Sequence, residues 1–268
     1  MKRVVVITGA SSGIGATLAR QLGDAGDRVV LAARREPELR AVASALQESL
    51  VVPADVTRRE DVDRIRDEAI AKFGHVDVWI NNAGRGISKP ILDLTDADID
   101  QMVLINVKSA LYGMQAIVPH FIERGRGHVL NVSSFLGKAP VASIRSAYSA
   151  AKAMLNSLTA NVRMDLAGYP GIHVTLVLPG LVATDFAKHA MGGTPTSRPP
   201  ASVMQPQSVE DAAAAIAAAI DRPAGEAYTN PVLQRMAVLY VEDVDAFEQR
   251  GRAGSSVSPG SSSVGPGS

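Results

Sequence analysis

The chain has 268 residues, with 27 Lys plus Arg balanced by 27 Asp plus Glu, so no charge excess draws it to nucleic acid or to an anionic membrane surface. Hydrophobic residues make up 46% of it, enough for a substantial core, and the absence of cysteine excludes disulfides and thiolate metal sites. No run approaches the roughly 18 uninterrupted apolar residues of a membrane span. A first strand expected at Arg3 also leaves no room for a signal peptide, so a cytoplasmic protein without a membrane partner is expected.

Taken in chain order, short β-branched runs alternate with longer helical patterns. Strands are predicted at Arg3–Thr8, Arg28–Ala33, Leu50–Val52, Val76–Ile80, His128–Val132 and His173–Leu178. Helices are predicted at Ile14–Ala25, Pro37–Gln47, Arg59–Phe73, Asp96–Arg124, Ala147–Leu166 and Val209–Asp221. Pro119 is expected to bend or interrupt the fourth helix, and Ser208 with Asp211 forms a capping box for the last. Near-continuous apolar strands joined by helices read as a parallel sheet covered on both faces. The expectation is an α/β, single-domain, doubly wound Rossmann-type fold over residues 1–250. The Gly- and Pro-bearing stretch from Asp185 to Gln207 is too long for an ordinary connection and reads as a substrate loop. Residues 251–268 read as a flexible Gly/Ser tail, and Pro231–Arg250 carries no recognisable pattern.

The segment "TGASSGIG" at residues 8–15 lies between the first strand and the first helix and fits two chemistries. Gly9-x-Ser11-x-Gly13 matches the nucleophile elbow of a serine hydrolase, which needs an acid and then a histidine downstream. No histidine among 75, 120, 128, 173 and 189 follows an acid at an evident loop tip. Alternatively, Gly9, Gly13 and Gly15 let backbone N–H groups at a helix N-terminus cradle a pyrophosphate. "NNAG" at 81–84, "NVSS" at 131–134, "YSAAK" at 148–152 and "PGLVAT" at 179–184 then follow at successive strand ends or helix starts. With these ordered motifs, residues 3 to about 230 resemble the short-chain dehydrogenase/reductase family, whose glycine motif reads TGxxxGxG.

The resemblance implies a catalytic set of Asn106, Ser134, Tyr148 and Lys152. Tyr148 exchanges a proton with the substrate oxygen, Lys152 supports it and binds the nicotinamide ribose, Ser134 polarises the carbonyl, and Asn106 holds a water behind the lysine. Tyr148 and Lys152 are four residues apart and share a helix face. A tyrosine titrates near ~10, so action near neutrality requires roughly 3–4 kcal/mol of phenolate stabilisation. One ammonium at ~5 Å in an effective dielectric of about 20 supplies on the order of 3 kcal/mol, so Lys152 helped by an oxidised nicotinamide suffices to lower the phenol. Ser133 competes with Ser134, which is preferred as the second serine of the pair. The Ser134–Tyr148 spacing is one residue longer than the family's usual one, placing an apparent insertion in "APVASIRSA" at 139–147.

The same resemblance implies a dinucleotide held by Gly9, Ser11, Ser12, Gly13, Ile14, Gly15, Asn82, Ala83, Gly84, Tyr148, Lys152, Pro179, Gly180, Val182 and Thr184, with Asp55 and Val56 against its adenine. An NAD site places a carboxylate where Ala33 stands; here Arg34 and Arg35 follow instead, which favours the 2′-phosphate of NADP(H) over NAD(H). Ser134, Phe135, Leu136, Val141, Ile144, Leu181, Phe186 and Met191 are the candidate substrate residues, predominantly apolar, which suggests a bulky apolar ketone, aldehyde or secondary alcohol. No metal-ligand spacing is present. The expected protein is an NADP(H)-dependent carbonyl reductase or alcohol dehydrogenase acting as a homodimer or homotetramer. The alternatives are a serine hydrolase using Ser11 and a dinucleotide-binding regulator without chemistry.

Overall fold

A computed structural model describes residues 2–192 and 205–253. Seven parallel strands form one sheet in the order β3-β2-β1-β4-β5-β6-β7: β1 Val4–Thr8, β2 Arg28–Ala33, β3 Ser49–Pro53, β4 Val78–Asn81, β5 Gly127–Val132, β6 Ile172–Leu178 and β7 Glu226–Tyr228. The helices are α1 Gly13–Asp24, α2 Glu36–Ala43, α3 Arg59–Phe73, α4 Asp96–Val103, α5 Ser109–Arg124, α6 Ser146–Asp165, α7 Val209–Asp221, α8 Pro231–Glu242 and α9 Val244–Ala253. The α/β doubly wound architecture expected from the sequence is the one observed.

Side chains of a strand point alternately to opposite faces, and the core divides accordingly. Val5, Ile7, Val29, Leu31 and Ile80 pack with Leu18, Leu22 and Ile216 on one side of the sheet. Val4, Val6, Val30 and Trp79 pack with Ile65, Met114, Ile117 and Phe121 on the other. Both faces being covered explains why the strands read as unbroken apolar runs rather than alternating ones.

The strand order reverses between β1 and β4, which pair in register from Val5↔Val78 to Ile7↔Ile80. Connections leaving these two strands diverge, opening a crevice at their carboxyl ends where such sheets bind ligands. A buried polar ladder holds the neighbouring strands in place. Trp79 Nε1 donates to Asn81 Oδ1 at 2.8 Å, Asn81 Nδ2 to Asn131 Oδ1 at 2.8 Å, and Asn131 Nδ2 to Thr159 Oγ1 at 2.9 Å. The first asparagine of "NNAG" and the asparagine of "NVSS" are thus tied to each other and to α6.

Several sequence expectations are corrected. The helix from Asp96 to Arg124 is not interrupted at Pro119, which lies inside α5; its irregularity is a π-helical turn at Leu104–Lys108. By length and composition this helix could cross a membrane, but half of the relevant window is buried inside the fold. The three-residue β7 escaped prediction because it is too short for a periodic signal, and α8 and α9 occupy the stretch that showed no pattern. Ser208 caps α7 by accepting from Asp211 N at 3.0 Å, which is half of the expected box. Helix α9 runs to Ala253, so the expected tail loses its first residues to a helix, and its remainder lies outside the described residues. Of the expected substrate loop, residues 193–204 also lie outside them; Asp185–Ala187 form a 3₁₀ turn, and Gln207 bridges to Val182.

Candidate active site

The glycine turn follows β1 directly. Gly9 and Gly13 have φ of +70° and +53°, a conformation that costs other residues a clash with their own backbone. A Cβ on Gly15 would lie 2.4 Å from the Gly9 carbonyl oxygen and 2.6 Å from Asn82 Nδ2, so the turn closes only with glycine there. Ser12 sits at the N-cap of α1 without a side-chain cap bond, and the first turn holds no acidic residue. The helix N-terminus therefore faces the crevice with its positive end uncompensated. Asn82 donates to Thr8 O at 2.9 Å, while Thr8 Oγ1 accepts from the backbone N of Asn82 and of Ala83. Thr8 thus fixes the "NNAG" turn against the glycine turn, a role its position in the motif did not announce.

Arg34 and Arg35 part company. Arg35 Nη2 donates to Ser11 Oγ at 3.0 Å and Ser12 Oγ at 2.8 Å, and the guanidinium pairs with Glu38. Arg34 is exposed and makes no side-chain hydrogen bond among the described residues. Of the two, Arg34 was expected to matter more for the 2′-phosphate; only Arg35 is folded over the loop. Ser11 faces this arginine, and none of the described histidines hydrogen-bonds to it, so the hydrolase arrangement is not assembled. Behind the same rim, Asp55 Oδ1 accepts from Thr57 N at 3.0 Å and Thr57 Oγ1 at 2.7 Å, which fixes the turn carrying Val56.

Tyr148, Lys152, Ser134 and Asn106 converge at the crevice. Tyr148 and Lys152 lie on α6, and both are buried. The Ser134 hydroxyl lies near enough to the Tyr148 phenol to lower its pKa, and it caps a 3₁₀ turn by accepting from Leu136 N at 3.2 Å. The two serines are distinguished here: Ser133 Oγ instead donates to Asn156 Oδ1 at 2.5 Å and is turned into the protein. Lys152 Nζ donates to Val132 O at 2.9 Å. Asn106 lies in the π-turn, a distortion that recurs at functional sites, and exchanges hydrogen bonds with the backbone of Arg85 at 3.0 and 3.2 Å. A Cβ on Gly84 would stand 2.9 Å from Asn106 Oδ1 and 3.6 Å from Lys152 Nζ, so that glycine separates the two polar groups.

The electrostatics correct one expectation. Lys152 Nζ lies 5.7 Å from the Tyr148 ring centroid, close to the anticipated separation. Yet burial pushes the phenol up to about 12, with Ser134 and Arg145 only partly offsetting it. Burial also lowers Lys152 to about 7, so the ammonium is itself destabilised rather than freely available as a counter-charge.

The substrate residues divide as well. Phe135 is fully buried among Ala139, Leu233 and Ala237 beneath α8, so it belongs to the core and not to the cleft. Leu136 and Met191 pack beside Tyr148 with Ile87 and Met102. The Phe186 ring stands 5.7 Å from the Tyr148 ring, and Lys89 N donates to Ile144 O at 3.0 Å. Val141 and Leu181 are exposed. On the opposite wall, Thr184 approaches Gly13 and accepts from Phe186 N at 3.3 Å; Val182 is held by Gln207, Pro179 O accepts from Phe135 N, and Gly180 abuts Leu233.

A family model described as short chain dehydrogenase matches residues 3–192. This chain belongs to the short-chain dehydrogenase/reductase family. An uncharacterized oxidoreductase of Staphylococcus aureus (strain USA300) is 38% identical over 212 residues, covering 78% of this chain and 88% of its own. Among solved structures, a short chain dehydrogenase/reductase of Burkholderia phymatum in complex with NAD is 25% identical, with a TM-score of 0.81 over 91% of this chain and 95% of that one. A short chain dehydrogenase of Burkholderia cenocepacia J2315 in complex with NADP is 26% identical, with a TM-score of 0.77 over 96% and 98%. As a family member the chain is an NAD(P)-dependent oxidoreductase. Arg145, close enough to Tyr148 to act on its phenol, was not among the residues expected near the site. Its signal was available: a basic residue three positions before Tyr148, inside the lengthened "APVASIRSA" segment.

Proposed function

We propose that this enzyme reduces a carbonyl to a secondary alcohol, or runs the reverse reaction, with NADP(H) preferred over NAD(H). The observation that carries this reading is the convergence of Ser134, Tyr148 and Lys152 beside a glycine turn whose rim is covered by Arg35. The turn fits a dinucleotide: a Cβ at Gly15 would fill the cradle, and no acid in the first turn of α1 opposes phosphate. Gly9, Ser11, Ser12, Gly13, Ile14 and Gly15 would hold the pyrophosphate, Asn82, Ala83 and Gly84 the adjoining ribose side, and Pro179, Gly180, Val182 and Thr184 the far end. Asp55 and Val56 would meet the adenine, and Arg35 the 2′-phosphate. A bound nicotinamide supplies or accepts the hydride.

The chain's own residues then handle the oxygen. Ser134 donates a hydrogen bond to the substrate oxygen, stabilising the negative charge that develops there. Tyr148, held protonated well above neutrality, delivers its proton to that oxygen. Charged Lys152 stabilises the phenolate left behind, and Asn106 with the Arg85 backbone fixes the space behind the lysine. Leu136, Ile144, Phe186 and Met191 would shape the cleft. The chain would act in the cytoplasm on a small molecule, as a dimer or tetramer, with residues 1–250 working as one domain.

The pH dependence tests this division of labour. Lys152 is lowered to about 7 by burial, so it loses its charge as pH rises through that value. Reductive kcat/KM should therefore fall above about pH 7, while Tyr148 remains protonated throughout that range. A reductive profile that stays flat or rises from about pH 6 to about pH 9 would contradict the roles given to these two residues.

A further inference from the structure

Arg145 is the N-cap residue of α6 and the last residue of a 3₁₀ turn at Ser143–Arg145, three positions before Tyr148 in the chain. Its guanidinium is half-buried, and Nη1 donates to the backbone carbonyl of Ile87 at 3.1 Å. No carboxylate pairs with it among the described residues; the one ionisable group close enough to raise its pKa is the Tyr148 phenol, while burial lowers it. Most other partly buried arginines here have acidic partners: Arg3 with Asp27, Arg66 with Asp63 and Asp67, and Arg124 with Asp77. A half-buried guanidinium without a counter-ion is costly unless something completes it.

Gly86 packs against this side chain: a Cβ there would lie 2.8 Å from Arg145 Nη1 and 3.0 Å from Phe186 Cε1, so both groups stand close to the Gly86 backbone. Phe186 in turn faces Tyr148. The guanidinium and the phenol thus both lie close to the Phe186 ring, with the charge held in place by the Ile87 carbonyl. Arg85 adds a second guanidinium nearby, anchored on the His189 carbonyl, whereas the acid of this wall, Asp185, is paired with Lys188.

We infer that Arg145 binds a carboxylate of the substrate, so that the reaction assigned above takes a keto acid or hydroxy acid rather than a wholly apolar ketone. This rests on the proposed carbonyl chemistry and narrows its substrate class. A planar guanidinium with free donors matches a carboxylate through two parallel hydrogen bonds, which also orients the carbonyl toward Tyr148.

The test compares pyruvate, acetoacetate and levulinate with their methyl esters, using NADPH and the full-length protein. In the wild type, the acid of at least one pair should exceed its ester in kcat/KM by about thirtyfold or more. Arg145→Met should collapse that acid-to-ester ratio toward unity, and Arg145→Lys should restore part of it. A purely structural tie to Ile87 would lower acid and ester together and leave the ratio unchanged, which overturns the inference, as does a wild type that favours every ester. Should no member of any pair, nor any ketone or aldehyde of a wider panel, turn over, the carbonyl reading fails by itself. Calorimetry of butyrate and butyramide against the NADP⁺-saturated protein then decides the carboxylate site. Butyrate binding by the wild type, with none by Arg145→Met and none of butyramide, upholds the site; no butyrate binding by the wild type, equal butyrate heats in both proteins or equal heats for the two ligands overturn it.

Discussion

Tyr148→Phe is expected to abolish carbonyl reduction while leaving the nucleotide affinity within about threefold of the wild type. The substitution removes one oxygen from a side chain that is buried against Ala147, Ala151 and Phe186, so its packing is retained. On the proposed mechanism what is lost is the proton donor, and positioned acid–base groups contribute about 10² to 10⁴ in rate. Ser134 keeps the backbone bond from Leu136, so the 3₁₀ turn that carries it stays capped. Steady-state rates together with NADPH titration separate the two quantities. Near-wild-type turnover in this variant would remove Tyr148 from the mechanism.

The second large effect concerns the cofactor. Ala33 ends β2 opposite Pro53 and carries no acid where a ribose hydroxyl would be bound. Arg35 stands over the glycine turn through Ser11 and Ser12, and Arg34 extends into solvent. Ala33→Asp combined with Arg35→Ala should therefore move the NADPH-to-NADH ratio of kcat/KM by a hundredfold or more. The new carboxylate repels a 2′-phosphate and accepts from a 2′-hydroxyl, while the lost guanidinium removes a charge-assisted bond worth roughly 1.5–3 kcal/mol, at about 1.4 kcal/mol per tenfold. Combining Ala33→Asp with Arg34→Ala instead should give the smaller shift. A wild type that already prefers NADH, or a ratio that does not move, would contradict the assignment of Arg35.

The sheet was legible because strands covered on both faces leave unbroken apolar runs, as in Val4–Ile7 and Val29–Ala33. The glycine turn and the Tyr148–Lys152 pair were legible because each depends on local spacing: glycine where a Cβ would strike Gly9 O, and a four-residue step along one helix. What escaped depends on long-range geometry. β7 exists only through its pairing with β6, and Phe135 looked like a cleft residue until α8 was seen to cover it. The raised phenol of the protein alone was not legible for the same reason. A charge at a plausible distance is visible in spacing, but the burial that outweighs it belongs to the assembled core. Pattern alone did not pick out Arg35 over Arg34, because the difference lies in where the chain turns into α2.

The most direct test of the central claim is NADPH consumption by the wild-type protein against a panel of ketones, aldehydes and keto acids, with the alcohol product identified in each case. The account predicts stoichiometric conversion of carbonyl to alcohol for members of the panel, with a rate that disappears in Tyr148→Phe. Tight binding of NADPH with no consumption against any carbonyl, or consumption that survives in Tyr148→Phe, would contradict it.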